Sequence, residues 1–304
     1  MASDQIKDLF QFFTTFEIVN NVAAVISNLF LTYLVLFRSS RELGGYRYLL
    51  LAFAVNDIYF PIVHFLTLPV CFAYNNAFIM FSYGMFTSTV SISLFASAYS
   101  QTMPLLAHLY VYRLIALKWP RHLEFYLTRN TFLLFAVTLG VAAPAWFFNC
   151  YINYGSDQET RDYVQPILNE YFNGDGKEFI GALFYSVDGT FRMRAFLATM
   201  GFNSIMTISV SIIVFCSVSI VLHFRSGSDD RSEKTKKMQR QLFYTLCLQM
   251  IVPMIFVYLP CAGAINLAMF GFCTSVFPNL TTSVSSFFPL ADSFVVMYGV
   301  KSYR

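Results

Sequence analysis

The sequence predicts an all-α membrane protein, a seven-transmembrane helix bundle with its N-terminus outside and its C-terminus inside. Three observations carry that expectation. Only 12% of the 304 residues are charged, half the roughly 25% of a soluble domain, so lipid is the expected solvent. Seven apolar stretches are each long enough, at ~1.5 Å per residue, to cross ~30 Å of hydrocarbon. Finally, 15 of the 20 Lys and Arg fall at the end of or after the first, third and fifth stretches and at the C-terminus. Such residues gather on the cytoplasmic side, and this alternation requires an odd number of crossings. No repeat or linker interrupts the chain, so residues 1–304 read as a single domain.

The sixth span fixes the frame. Lys234, Lys236, Lys237 and Arg240 stand immediately before an uncharged run from Gln241 to Ala262, which marks its cytoplasmic end. Taken in order, the first span covers about 16–37 and contains Asn20, Asn21 and Asn28. Arg38, Arg41 and Arg47 follow it. The second, about 48–73, holds Asp57, His64 and the kinking prolines Pro61 and Pro69. An uncharged link over 74–82 leads to a third, Ser/Thr-rich span at about 87–114. Lys118, Arg121 and Arg129 precede the fourth, about 131–148. The fifth runs over 195–224, the sixth over 241–262 and the seventh over 280–300. The N-terminal residues run into the first span without a cleavage site, so that span is expected to act as its own insertion signal.

The longest connection, 149–194, holds seven acids and four bases. Within it Asp188-Gly189 separates two β-prone runs, a two-residue hairpin signal. A hairpin lid is expected there, with a disordered acidic loop around Gly174-Asp175-Gly176 as the alternative. The six cysteines show no metal-binding spacing. Cys216 and Cys247 read as packing thiols, while Cys71, Cys150, Cys261 and Cys273 lie where a disulfide is permitted. Asn279-Leu280-Thr281 is a glycosylation sequon beside the membrane.

Ionisable groups deep in lipid are functional candidates. Counted from the nearest span ends, Asn28, Asp57, Gln249 and Asp292 each lie ~12–15 Å deep. Four spans thus bring polar groups to one level. This is either a hydrated layer that rearranges between two helix packings, with water or a monovalent cation at Asp57 and Asp292, or a static hydrogen-bond cluster. His64 reads as a satisfied interior histidine and Glu17 as a rim residue that reaches water. Pro253, Pro260 and Pro289 are candidate hinges, because proline leaves backbone carbonyls unpaired; a kink without switching is the other reading. Arg113, after Tyr110 and Tyr112, ends the third span. It is an interfacial anchor, a tie between spans three and six, or a receiver for a cytoplasmic partner.

These residues carry a family likeness. The stretches YRYLLLAFAVNDIYFPIVHFLTLP (46–69), HLYVYR (108–113) with Trp119-Pro120, KMQRQLFYTLCLQ…VP (237–253) and PLAD…YR (289–304) resemble the nematode seven-transmembrane chemoreceptors of the Str superfamily. The resemblance implies a G-protein-coupled receptor of sensory-neuron cilia, in the plasma membrane, that binds a small, often volatile odorant outside and activates a heterotrimeric G protein inside. A membrane enzyme is not expected, because no His/Asp/Glu metal cluster or nucleophile motif occurs in the sequence. Arg113 stands where related receptors carry an acid-Arg-Tyr triplet, but the triplet here is Val111-Tyr112-Arg113, so an acid lock is absent. Ser293 follows Asp292 where the family pattern has proline.

An apolar pocket in the outer half of the bundle suits such a ligand, with Ser93, Phe95, Ser97, Asn203, Tyr258 and Ser285 as its expected lining. Output would run through Tyr112, Arg113, Lys234, Lys237 and Arg240. No cofactor, metal or nucleic-acid partner is expected. A membrane transporter or channel is the rival reading; the lack of an inverted repeat and of a continuous polar path weighs against it.

Overall fold

The computed structural model describes residues 2–38, 45–123, 138–172, 178–226, 232–272 and 280–299. Arg41, Arg129, residues 131–137 of the fourth span, Gly174 to Gly176, Cys273, Asn279 and the C-terminal KSYR lie outside them.

Ten α-helices are described: α1 (Ala2–Phe37), α2 (Tyr46–Thr67), α3 (Thr89–Tyr99), α4 (Thr102–Lys118), α5 (Ala143–Phe148), α6 (Gln158–Phe172), α7 (Met193–Arg225), α8 (Glu233–Pro253), α9 (Leu259–Met269) and α10 (Leu280–Gly299). Among the described residues, five stretches are helical, long and apolar enough to cross a membrane: Leu9–Phe37, Tyr46–Thr67, Met193–Arg225, Glu233–Met269 and Leu280–Gly299. Their outward faces are apolar. On α7, Leu197, Ile208, Phe215, Val218 and Leu222 are all exposed, a surface that water would penalise and hydrocarbon accepts. α1 packs against α2 and α10, and α4 against α7.

Two expected spans are built in pieces. The third is α3 followed by α4, with the break at Ser100–Gln101. Pro104 in the first turn of α4 has no N–H to offer Ser100, and the side chains rebuild the junction. Ser100 Oγ donates to Ser97 O at 2.7 Å, and Gln101 Nε2 donates to Ser100 Oγ at 2.9 Å. The sixth runs through α8, a π-helical turn at Met254–Tyr258 and α9. Pro253 starts that wider turn and Pro260 opens α9. Both prolines therefore sit where the i→i−4 ladder is already interrupted.

The second span departs from expectation. α2 stops at Thr67, Leu68 turns left-handed at φ 39°, and Pro69 opens a strand. Pro69 is therefore a strand starter and not a kink. β1 (Pro69–Tyr74) and β2 (Ala77–Ser82) form a hairpin across Asn75–Asn76, with Asn75 at φ 47°; Asn tolerates that region. β3 (Phe179–Leu183) pairs antiparallel with β2, giving the order β1-β2-β3. Residues 69–73 are apolar, β-branched and aromatic, a composition that reads equally as helix end or buried strand. The chain then folds back on α2. Amides of Tyr83, Gly84 and Met85 donate to Leu68 O, Thr67 O and Leu66 O at 3.1, 2.9 and 2.9 Å, so the carbonyls at the end of α2 are satisfied. A Cβ on Gly84 would lie 2.4 Å from Leu66 O, so only glycine allows this approach.

The Asp188-Gly189 signal marks a tight turn, with Gly189 at φ 84° and Ser186 N donating to Thr190 O at 2.9 Å. It closes only one bridge, Tyr185 to Phe191. The sheet is instead made by β3 joining the earlier hairpin, and α6 fills the connection that precedes β3. All three strands are largely buried, and the sheet packs on α3, α9 and α10.

This connection is tied to α7 by charge. Arg192 pairs with Asp157, and Thr160 N donates to Asp157 Oδ1 at 2.9 Å. Partial burial pushes the Asp157 carboxyl up, but hydrogen bonds from Thr160 and Arg192 outweigh it and hold the group below its ordinary value. A depressed carboxylate contributes stability that is complete above its unfolded value of ~4 and disappears as pH falls through the folded value. Thermal unfolding of the purified protein should therefore lose stability below pH ~4, and Asp157→Asn should flatten that part of the profile. An unchanged profile in the variant would remove the pair from the account.

Candidate functional site

Next to the sheet lies a cavity of about 40 Å³, room for a few waters at ~10–15 Å³ each. The sheet contributes Cys71, Phe78, Met80 and Ile180. The helices add Phe95, Ala96 and Tyr99 from α3, Trp146, Cys150, Tyr154, Phe202, Cys261 and Ile265, and Thr281, Thr282 and Ser285 around α10. Of the six expected lining residues, Phe95 and Ser285 stand on its wall. The other four are committed to structural bonds: Ser93 Oγ to Thr89 O at 2.9 Å, Ser97 Oγ to Ala143 O at 2.9 Å, and Asn203 Nδ2 to Asn266 Oδ1 at 3.1 Å. Tyr258, the fourth, is part of the floor. Its hydroxyl donates to Tyr99 O at 3.2 Å and accepts from Met103 N at 3.3 Å, while Tyr99 Oη donates to Val257 O at 2.7 Å. The strand residues were missed because the segment read as span and link; its β-branched and aromatic content was the available signal.

Three of the cysteines placed where a disulfide is permitted, Cys71, Cys150 and Cys261, are free thiols on this wall. Cys247 packs close to Tyr110, and Cys216 is buried.

On the far side of Tyr258 the four polar residues of the expected layer meet. Asn28 Nδ2 donates to Pro289 O and Ala24 O, both at 3.0 Å, which joins α1 to α10. Gln249 Nε2 donates to Asp292 Oδ2 at 3.1 Å, joining α8 to α10. Asp57 accepts from Asn56 at 3.4 Å, and its carboxyl interacts electrostatically with that of Asp292. The unpaired atoms are all acceptors: Asn28 Oδ1, Asp57 Oδ2, Gln249 Oε1 and Asp292 Oδ1. Two facing carboxylates repel unless a proton, a cation or ordered water lies between them. Among the described residues no cluster of three or more His, Cys, Asp and Glu has metal-binding geometry.

Glu17 is not the water-reaching rim residue the sequence suggested; it is fully buried. The helix α1 begins well before the apolar run and carries Glu17 into the bundle, where its carboxylate accepts from Ser283 Oγ at 2.7 Å and Thr282 Oγ1 at 3.2 Å. Glu17 Oε2 lies 3.4 Å from His64 Nε2. His64 is interior as expected, but its ring meets an acid and the faces of Phe60 and Phe95. Thr282 and Phe95 both line the cavity, so this pair stands one residue behind its wall.

At the basic end Arg113 is buried. Its Nη1 donates to Gln239 Oε1 at 2.9 Å, and the guanidinium sits 3.8 Å from the centre of the Tyr46 ring, on which Tyr112 also stacks. Of the three sequence readings, the structure has the tie between α4 and α8. Nε and Nη2 have no hydrogen-bond partner among the described residues. Lys234, Lys237 and Arg240 are exposed nearby on α8, and Lys237 and Arg240 line a groove between α8 and α10. Gln239 and Tyr46 fall inside stretches that carry the family likeness, but neither was singled out, because neither carries a formal charge and their contact with Arg113 joins helices remote in sequence.

These features, membrane-length helices around a small apolar cavity and a buried polar layer, define a multi-pass helical membrane protein. The model of the serpentine type 7TM GPCR chemoreceptor Str family matches residues 13–304, and the chain belongs to that family. It is similar to the Caenorhabditis elegans G-protein coupled receptor str-33, at 25% identity over 296 residues, 93% of this chain and 86% of the relative. It is also similar to serpentine receptor class r-10 of the same organism, at 23% over 275 residues, 87% and 80% of the two chains. Serpentine receptor class J-38, again from Caenorhabditis elegans, is 26% identical over 262 residues, 79% of this chain and 74% of that one.

Removing one member of a buried pair leaves the other uncompensated at a cost of ~3–5 kcal/mol. Glu17→Leu or His64→Leu alone should thus lower the melting temperature of the detergent-purified protein more than the double variant does. Strictly additive losses would mean the two side chains do not interact.

Proposed function

We propose that this chain is a chemosensory receptor that binds a small, largely apolar molecule from outside and activates a heterotrimeric G protein inside. The observation that carries the reading is the arrangement along the bundle axis: an occluded apolar cavity, a Tyr99–Tyr258 floor, a polar layer, and an arginine tying α4 to α8. In this reading the whole chain is one seven-span domain with its N-terminus and β-sheet extracellular. The sheet is the lid of the ligand site, and the receptor works at the plasma membrane of sensory-neuron cilia. A cavity of about 40 Å³ is below the ~300 Å³ of ordinary ligand sites, so a ligand must select a packing in which the lining parts. That differential affinity is what shifts the equilibrium.

The polar layer is the element that changes. Its unpaired acceptors suit water or a monovalent cation, which a second packing would release or rearrange. Pro253 lies one turn from Gln249, so bending there swings the cytoplasmic half of α8 away from Arg113. The unpaired donors of Arg113, with Tyr112 and Lys234, then face an incoming G-protein segment rich in carbonyl or carboxylate acceptors. Transport is the weaker reading, because Tyr99 and Tyr258 close the cavity above the polar layer and a transporter needs that path to open.

Arg113→Ala and Lys234→Ala should each reduce ligand-stimulated nucleotide exchange at least tenfold with normal surface expression, and Ala96→Trp should abolish the response by filling the cavity. Retained exchange in both cationic variants would remove the coupling face. Ion flux through the purified protein would favour the transport reading.

A further inference from the structure

The groove between α8 and α10 at the basic end is unlike the rest of the surface. It encloses about 770 Å³ and combines Lys236, Lys237 and Arg240 at its mouth with Tyr244, Leu248 and Tyr298 along its walls. Lys236 is paired with Glu233 at 2.9 Å, whereas Lys237 and Arg240 are exposed. Where this groove opens follows from helical geometry. Lys237, Arg240, Tyr244 and Leu248 recur at three- and four-residue intervals, and the same stripe continues into Ile251 and Ile255, 43% and 52% exposed. On α10, Tyr298 and Phe294 are likewise exposed. The buried face of α8, with Leu242, Leu246 and Gln249, points elsewhere. The groove therefore opens onto the hydrocarbon and not into the bundle, and its cations lie at the level where headgroups begin.

We infer that this groove is a binding site for an anionic phospholipid of the cytoplasmic leaflet. The phosphate groups sit on Lys237 and Arg240, and an acyl chain lies along Tyr244, Leu248 and Ile251. Charge complementarity selects the headgroup, since basic pockets between helices on the cytoplasmic side attract polyphosphoinositides. Because α8 carries the Pro253 bend, a lipid held between α8 and α10 weights one position of α8 over another. The site rests on the topology proposed above, with the basic end in the cytoplasm.

The test is native mass spectrometry of the full-length receptor with one added equivalent of phosphatidylinositol bisphosphate or phosphatidylcholine. The bisphosphate lipid should bind as a single copy, and phosphatidylcholine should not. At about fivefold per cation, Lys237→Gln/Arg240→Gln should weaken binding about 25-fold. Lys237→Arg/Arg240→Lys should retain it, as should the control Lys118→Gln/Arg121→Gln, which removes equal charge elsewhere. Leu248→Trp should also reduce binding, by occupying the wall with the charges intact. Equal binding by wild type and the double Gln variant overturns the proposal, and so does soluble inositol trisphosphate binding as tightly as the lipid. Lipid counting reads neither ligand nor G protein, so a negative result leaves the receptor reading standing.

Discussion

Backbone and side-chain polarity inside hydrocarbon must be satisfied within the protein, and here the heaviest demand falls at one level of the bundle. Asn28, Asp57, Gln249 and Asp292 come from four different helices, and their hydrogen bonds join α1 to α10 and α8 to α10. The layer also sits beside prolines inside three of its helices, Pro61 in α2, Pro253 in α8 and Pro289 in α10, each of which interrupts the backbone ladder. A polar cluster without slack would be a rivet. In the reading proposed above, one with four unpaired acceptors among the described residues, next to prolines, works as a joint.

Above and below this layer the contacts combine rings and polar ties. At the sheet end Tyr99 meets Tyr258 at 5.3 Å, and Trp146 meets Phe202 at 4.5 Å. At the basic end Tyr110 meets Phe243 at 6.4 Å and Tyr46 meets Tyr112 at 5.8 Å, and polar bonds join the helices. Arg113 to Gln239 links α4 with α8, and Gln241 Nε2 to Gly299 O at 2.7 Å links α8 with α10. A neutral amide binds a guanidinium less strongly than a carboxylate would, so the absence of an acid beside Arg113 in the sequence becomes a physical statement about how easily α4 and α8 part.

The helices and the polar layer were legible in the sequence because both follow from simple periodicity and depth. A run of about twenty apolar residues has few alternatives in lipid, and a carboxylate such as Asp57 inside one has to face the interior. What lay beyond that reading depended on contacts remote in sequence. Residues 69–82 are apolar enough to extend a span, and only pairing with Phe179–Leu183, about a hundred residues away, makes them a sheet. Glu17 looked like a rim residue because its partners, Ser283 and His64, sit on other helices. The cavity wall divided in the same way: Phe95 and Ser285 face it, whereas Ser93 and Ser97 find backbone carbonyls nearer, which residue type alone does not reveal.

The central proposal is that α8 pivots at Pro253 about the polar layer, and the distance between the basic ends of α4 and α8 reports it directly. Spin labels carried by non-canonical amino acids at Lys118 and Lys234 of the full-length receptor in lipid nanodiscs would give that distance. Nucleotide-free G protein should lengthen it, and Gln249→Leu, which removes the bond to Asp292, should populate the longer distance without any partner. One unchanged distance distribution under all three conditions would contradict the account.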